Sequence, residues 1–415
     1  MRFDQYHISA EIKRNLAQLG FKRPTDIQFK AIPSILNGED VLAIAQTGTG
    51  KTAAFAIPVI DRIHRFKTSS RTYGIKCIVM VPTRELAMQI GEVFRELAKH
   101  TRVQTYALYG GVEQDAQIAK LQDGIDVLIS TPGRMFDLFH QQDISLKSVS
   151  TLVLDEADHM LDLGFIEDIQ YIKRKLTSRH QTLFFSATIS DEIKKLAYSQ
   201  VKSVAIRIQV SPERRVSKNV SHAVMFIDQD DKRHFLMQFL RDHPDDKVIV
   251  FVRTQVRADR VVKAMARAAL AAESIHGGKD QEERSATMSR FRSGECRVLV
   301  ATDVSARGID VPDVQSVINY DLPERVENYA HRVGRTGRGH RKGDAISFCS
   351  QEERELLQAI EQFLNAPVTI IPISKKDYQA IALTEEQKVQ DLRTMVAEHD
   401  VWMEKQRKKK KKKRK

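Results

Sequence analysis

The chain has only three cysteines, Cys77, Cys296 and Cys349, far apart and odd in number. That argues against a disulfide frame or a zinc site and predicts reduced thiols, each packed in or beside a strand. No run of 18 apolar residues occurs, so a membrane span is not expected. The first residues, Met1-Arg2-Phe3-Asp4-Gln5-Tyr6, lack the apolar core of a secretory leader. Together these absences predict a cytoplasmic protein. What is present is length and charge. At 415 residues, a prior of about 150 residues per domain gives two or three domains. The net charge is +12, of which Lys405 and the nine residues Arg407 to Lys415 supply ten, leaving +2 on the rest. Such a block of like charge repels itself, stays extended and attracts nucleic acid without regard to sequence; a solubilising or targeting tail is the plainer alternative.

The stretch Ala45-Gln46-Thr47-Gly48-Thr49-Gly50-Lys51-Thr52 follows the apolar run Val41 to Ile44 and precedes a helix-compatible run to about Phe66. Strand, glycine loop and helix form the context of a phosphate-binding loop. Gly48 and Gly50 let backbone N–H groups face one anion, and the helix N-terminus adds positive potential. Lys51 supplies a charge for the outer phosphates and Thr52 a hydroxyl for Mg2+. The general pattern begins with Gly, where this chain has Ala45.

Upstream, Ser9 to Leu19 predicts a short helix closed by Gly20, and Pro24 fits the N-terminal side of a helix through Ile35. Phe21 could stack on a base and Gln28 could bond an adenine edge; a staple and a surface amide are the plainer readings. From Lys76 the chain alternates short apolar runs (77–81, 127–130, 151–155 and 182–186) with helical stretches (84–99, 134–141 and 167–176). This rhythm predicts a parallel sheet covered on both faces, with ligand residues just past the strand C-termini. The region 209–218 is polar and aperiodic and reads as a linker. A second series of runs follows at 222–227, 248–252, 297–301, 315–319 and 344–348, without a glycine-lysine loop of its own. The expected organisation is therefore 1–208, linker 209–218, 219–366 and an extension 367–415. In the extension Val389, Leu392, Val396, His399 and Met403 predict an amphipathic helix that docks on the second body or binds a partner.

Asp155 and Glu156 follow the apolar run 151–154. In a phosphoryl-transfer site one such carboxylate holds Mg2+ and its neighbour orients the attacking water. The other dense cluster is His331-Arg332-Val333-Gly334-Arg335-Thr336-Gly337-Arg338. Arginines 332, 335 and 338 share one face if the segment is helical, and such donors can neutralise a leaving phosphate; a solvated or RNA-binding basic face is the alternative.

Asp155-Glu156-Ala157-Asp158 spells the name of the DEAD-box RNA helicases. The chain resembles that family over about residues 1–366, with the signatures in order: Gly20-Phe21 to Gln28, Ala45 to Thr52, Pro82 to Ala87, Gly110-Gly111, Thr131 to Arg134, Ser186-Ala187-Thr188, Gln281 to Arg284, Ala301 to Asp310 and His331 to Arg338. Ala45 is usual there. The basic end is similar to the extensions of bacterial RhlE-type members. The resemblance implies two tandem RecA-like α/β domains with ATP between them. Phe21, Gln28 and the loop residues Gln46, Thr47, Gly48, Thr49, Gly50, Lys51 and Thr52 would bind the nucleotide, with Gly308 and Asp310 from the second domain. Thr52 and Asp155 would hold Mg2+, and Glu156 would serve water. Arg335 and Arg338 would act as fingers. Asp158, Ser186, Thr188 and His331 would couple the domains. Pro82, Thr83, Arg84, Gly111, Thr131, Arg134, Gln281, Arg284 and Thr302 would contact RNA through phosphate and 2′-OH. The expected activity is RNA-stimulated ATP hydrolysis with local duplex opening by a monomer, on ribosomal or mRNA particles. An ATP-gated RNA clamp and a DNA-directed helicase are the competing readings.

Overall fold

The structure, a computed structural model, describes residues 2–45, 48–69, 74–110, 114–140, 144–188, 190–201, 204–210, 216, 219–306, 311, 313–337 and 341–381. Among them are fourteen strands in two seven-stranded sheets, and the chain divides into two compact units. The first sheet holds β1 (Val41–Ala45), β2 (Cys77–Met80), β3 (Thr105–Leu108), β4 (Val127–Ser130), β5 (Thr151–Leu154), β6 (Gln181–Ser186) and β7 (Ile206–Val210). The second holds β8 (Val220–Phe226), β9 (Val248–Phe251), β10 (Glu273–Ile275), β11 (Val298–Ala301), β12 (Ser316–Asn319), β13 (Gly343–Cys349) and β14 (Thr369–Ile370). Pairing is parallel throughout, in the orders β3-β4-β2-β5-β6-β1-β7 and β10-β11-β9-β12-β13-β8-β14.

The runs are continuous in apolar character because both faces of each sheet are covered. In the first sheet Val41, Ala43, Val79, Ile129, Val153 and Phe185 enter one apolar layer. Their neighbours Leu42, Ile78, Leu128, Leu152 and Phe184 enter the other, as a two-residue side-chain period requires. Leu154 lies in that second layer, so β5 delivers Asp155 to the C-terminal edge of the sheet straight from a buried position. The tandem α/β expectation therefore holds, with two sheets of the same order.

Residues after Pro367 do not leave the second unit at once. β14 pairs with β8, Thr369 facing Ala223 and Ile370 facing Val224. The helix Lys375–Ile381 then places the Tyr378 ring 5.1 Å from that of Phe235. The Tyr378 hydroxyl donates to Asp231 Oδ2 at 3.1 Å and accepts from the Asp228 amide at 3.0 Å. A two-residue strand is too short to leave a pattern in the sequence, which is why this segment reads as tail. The amphipathic stretch from Val389 and the basic run lie outside the described residues.

Candidate active site

The helix Lys51–Ser69 begins directly after the glycine loop that follows β1. Gly48 and Gly50 have φ of 81° and 88°, the left-handed region that a side chain resists. Around Gly48 the space is open, with nothing within 4 Å of where a Cβ would stand; at Gly50 a Cβ would meet Gln28 Nε2 at 2.5 Å. Each end of the Gln28 amide makes one bond within the chain. Its Oε1 accepts from the Thr25 amide at 3.0 Å, within a capping box that starts the helix Asp26–Leu36. Its Nε2 donates to the Gly50 carbonyl at 3.1 Å. Gln28 is thus a buried strut for the loop rather than a surface amide, 2% exposed. Phe21 is half-buried and meets Phe3 edge-on, with centroids 5.9 Å apart. Gln46 and Thr47 lie outside the described residues.

Lys51 is buried at 6% exposure, and its ammonium has no hydrogen-bond partner among the described residues. Thr52 beside it is half-buried. β1 and β5 are separated in the sheet by β6 alone, so their C-terminal ends stand about 10 Å apart. At the end of β5, Asp155 accepts the Glu156 amide at 2.9 Å. Burial pushes the Asp155 carboxyl up to about 6; Glu156 and Asp158 add to the rise, while Lys51 and the Glu156 amide oppose it. Glu156 adopts φ 50° and ψ 49° at the start of the helix Ala157–Asp162. Thr188 donates both its amide and its hydroxyl to Asp158 Oδ2, each at 3.1 Å, and its carbonyl accepts the Ser186 hydroxyl at 2.9 Å. Asp158, Ser186 and Thr188 thereby form one group at the ends of β5 and β6.

A second edge of the first unit carries the arginines. Thr83 caps the helix Arg84–Ala98, its Oγ1 accepting from the Leu86 amide at 3.3 Å, while Pro82 is buried before it. The Arg84 guanidinium lies against Gly110, 3.0 Å from where a Cβ would be. Arg134, in the helix Pro132–His140 that opens after Thr131, donates through Nε and Nη2 to Gln117 Oε1 at 3.2 and 3.0 Å. Gln117 in turn donates to the Tyr109 carbonyl at 3.1 Å. Gln117 was invisible in the sequence; only its spacing from Tyr109 and Arg134 in three dimensions gives it meaning. Gly111 lies outside the described residues.

Gln281 and Arg284 stand in the first turn of the helix Gln281–Ser293, where Asp280 Oδ1 accepts the Glu283 amide at 2.8 Å. Thr302 follows β11 and is buried. The arginine cluster corrects one expectation. The helix Val326–Val333 ends at Gly334, so residues 332 and 335 do not share a helical face. Arg332 is 2% exposed and bound to Asp303 Oδ2 at 2.8 Å and to the Asp321 carbonyl at 2.6 Å, a structural anchor. Arg335, also buried, donates through Nε to the His331 carbonyl at 3.0 Å. Arg338, Gly308 and Asp310 lie outside the described residues.

With this geometry in place, the comparisons with known proteins are informative. A DEAD/DEAH box helicase model matches residues 25–196, and a helicase conserved C-terminal domain model matches residues 231–340. The chain is 36% identical over 399 residues to the DEAD-box ATP-dependent RNA helicase CshA of Bacillus subtilis, covering 96% of this chain and 79% of that protein. It is 38% identical over 386 residues to the ATP-dependent RNA helicase RhlB of a Shewanella species, covering 92% and 87%. Among solved structures it is similar to S. cerevisiae Dbp5 bound to RNA and ADP BeF3, with TM-score 0.83, 30% identity, and 92% and 98% of the two chains covered. The motifs in their order, the two parallel sheets and these similarities place the chain in the family of DEAD-box ATP-dependent RNA helicases.

Proposed function

We propose that this chain couples ATP hydrolysis to local opening of RNA duplexes, using the site around Lys51 and Asp155. The carrying observation is the Lys51 ammonium, buried and without a hydrogen-bond partner among the described residues, beside a loop open at Gly48. A buried charge of this kind needs a counter-ion, and a phosphate chain at a helix N-terminus supplies one. The relatives named above as ATP-dependent RNA helicases, and the Dbp5 complex with RNA and ADP BeF3, support the same reading.

Thr49 and the loop amides would cradle the phosphates. Phe21 would face the base, and Gln28 keeps one N–H and one lone pair beyond its two bonds for an adenine edge. Asp155 and Thr52 fit a magnesium ion: Asp155 is a buried carboxyl whose raised value a dication would reverse. Among the described residues no group of three or more His, Cys, Asp or Glu could hold a metal alone; Mg2+ is ordinarily held by one or two carboxylates with phosphate oxygens and water. When bound, Mg2+ would neutralise oxygens of the outer phosphates. Glu156 would orient and deprotonate the attacking water. Arg335, with Arg338, Gly308 and Asp310, would complete the nucleotide site; an arginine finger is worth roughly a thousandfold or more in turnover.

RNA would lie on Pro82, Thr83, Arg84, Gly111, Thr131, Arg134, Gln281, Arg284 and Thr302. Such contacts to phosphate and 2′-OH give little sequence readout. ATP and RNA would each favour the other's binding through a shared conformation, by linkage, with Asp158, Ser186, Thr188 and His331 carrying the coupling. Among the described residues no helix is long and apolar enough to cross a membrane, and the three thiols are free and buried. Ribosomal or mRNA particles in the cytoplasm are the proposed setting. RNA and DNA duplexes of equal stability, tested in parallel with ATP, check the reading: strand separation of RNA with RNA-stimulated phosphate release is expected, and a preference for DNA would refute it.

A further inference from the structure

His159 stands on the first turn of the helix Ala157–Asp162, three residues after Glu156. Its imidazole is 2% exposed. Neither ring nitrogen has a hydrogen-bond partner among the described residues. Nδ1 lies 3.6 Å from Glu156 Oε2, which is about 0.5 Å beyond a hydrogen bond. An apolar residue such as Leu would fill this place without leaving two polar atoms unmet, so packing alone does not account for a histidine here. The adjoining backbone adds a second observation. Glu156 sits at φ 50°, a region that a long side chain avoids and that clusters at functional sites. The Glu156 carboxylate lies beside the His159 ring on the first turn of the helix. A glutamate has three rotatable bonds, and a carboxylate that must orient one water needs something to hold it.

We propose that His159 is a positioning residue for Glu156, its Nδ1–H donating to Glu156 Oε2 and fixing the carboxylate for the attacking water. The proposal rests on the reading of Glu156 as the base. A shift of the Glu156 side chain by a few tenths of an ångström closes the 3.6 Å gap. In this arrangement His159 touches neither nucleotide nor water, so its loss lowers turnover without weakening binding.

The test uses the full chain with His159→Leu, His159→Asn and His159→Gln. For His159→Leu, kcat for RNA-stimulated ATP hydrolysis falls about ten- to a hundredfold. KM for ATP and half-saturating RNA stay within about twofold. The Asn amide nitrogen stands where Nδ1 stood and restores most of the loss; the Gln amide, which mimics the far nitrogen, does not. Wild-type kcat in His159→Leu overturns the proposal, as does equal loss in Leu and Asn. If His159→Leu fails to fold, the Asn and Gln pair carries the same contrast. Glu156→Gln, assayed alongside, separates the two readings: wild-type turnover there removes the base assignment, whereas a dead Glu156→Gln beside an unaffected His159→Leu removes only the positioning role.

Discussion

The two sheets have the same strand order when each is numbered from its own first strand, yet they treat the same two positions in opposite ways. In both units the helix after the first strand opens with a lysine: Lys51 after β1 and Lys232 after β8. Lys51 has no hydrogen-bond partner for its ammonium among the described residues. Lys232 is fully buried, and Glu353 neutralises it at 2.5 Å. Glu353 is itself fixed by the Leu322 and Ser350 amides at 3.0 and 3.2 Å. An acid follows the fifth strand in both cases, Asp155 directly after β5 and Asp321 two residues after β12. Asp155 has its carboxyl raised by burial, with Lys51 opposing the rise, whereas Asp321 accepts the Arg253 amide at 2.9 Å and pairs with the Arg257 guanidinium. One architecture thus yields a charged site with its lysine unsatisfied and a closed ionic core. The difference lies in whether a protein carboxylate bonds the lysine directly, and the proposed phosphate site at Lys51 rests on it.

The sharpest way to break this comparison is to remove the lysine in the first unit and the lysine's counter-ion in the second. Lys51→Ala is expected to lower ATP turnover about a hundredfold or more while leaving the melting temperature unchanged or higher, because an uncompensated buried charge is removed. Glu353→Ala should do the opposite. It leaves Lys232 buried and unpaired, costing about 3–5 kcal/mol of stability, and turnover per folded molecule stays near wild type. Denaturant titration and phosphate release on both variants check the pair of outcomes; matching effects at the two sites would dissolve the contrast.

The next effect concerns Asp155. Its folded value of about 6 lies above the ordinary 3.8. A carboxyl raised in this way contributes stability below its unfolded value, and that contribution is lost as pH rises through the folded one. At pH 7.5 the ionised group therefore costs the nucleotide-free fold about 3 kcal/mol, at the upper end. Asp155→Asn should be more stable than wild type by up to that amount at pH 7.5, by about half as much at pH 5, and inactive. Equal gains at the two pH values would show that ionisation is not the cause.

The smallest expected effect separates the two loop glycines. Gly48→Ala meets open space and bears only the cost of its backbone, about 1–2 kcal/mol. Gly50→Ala adds a clash with Gln28 Nε2, so it should raise KM for ATP several-fold more than Gly48→Ala in a steady-state assay. Gln28→Ala should relieve part of that difference.

The sequence was legible where burial is complete. The ten runs named as strands are the ten interior strands of the two sheets. The four that escaped notice, β3, β7, β10 and β14, are the four edges. In β7 only Ile208 is buried, and both residues of β14 are exposed; a strand covered on few sides leaves a weak apolar signature. The site divides in the same way. Lys51, Asp155 and Glu156 could be read because their residue types at a strand end carry chemistry. Gln117, Glu353 and His159 could not, because their meaning comes from partners far apart in the chain or from a backbone turn that no spacing records. Arg332 and Arg335 looked equivalent in the sequence; the helix end at Gly334 makes one an internal anchor and leaves the other outside the helix.

The central claim is that hydrolysis at the first unit's loop and carboxylates drives RNA opening. It is tested most directly by strand separation and phosphate release on one RNA duplex, with wild type and Glu156→Gln at saturating ATP. The account predicts that wild type separates strands over many turnovers only when ATP is present. Glu156→Gln should bind RNA with ATP as tightly as wild type but release no phosphate. Phosphate release by Glu156→Gln at the wild-type rate would contradict it.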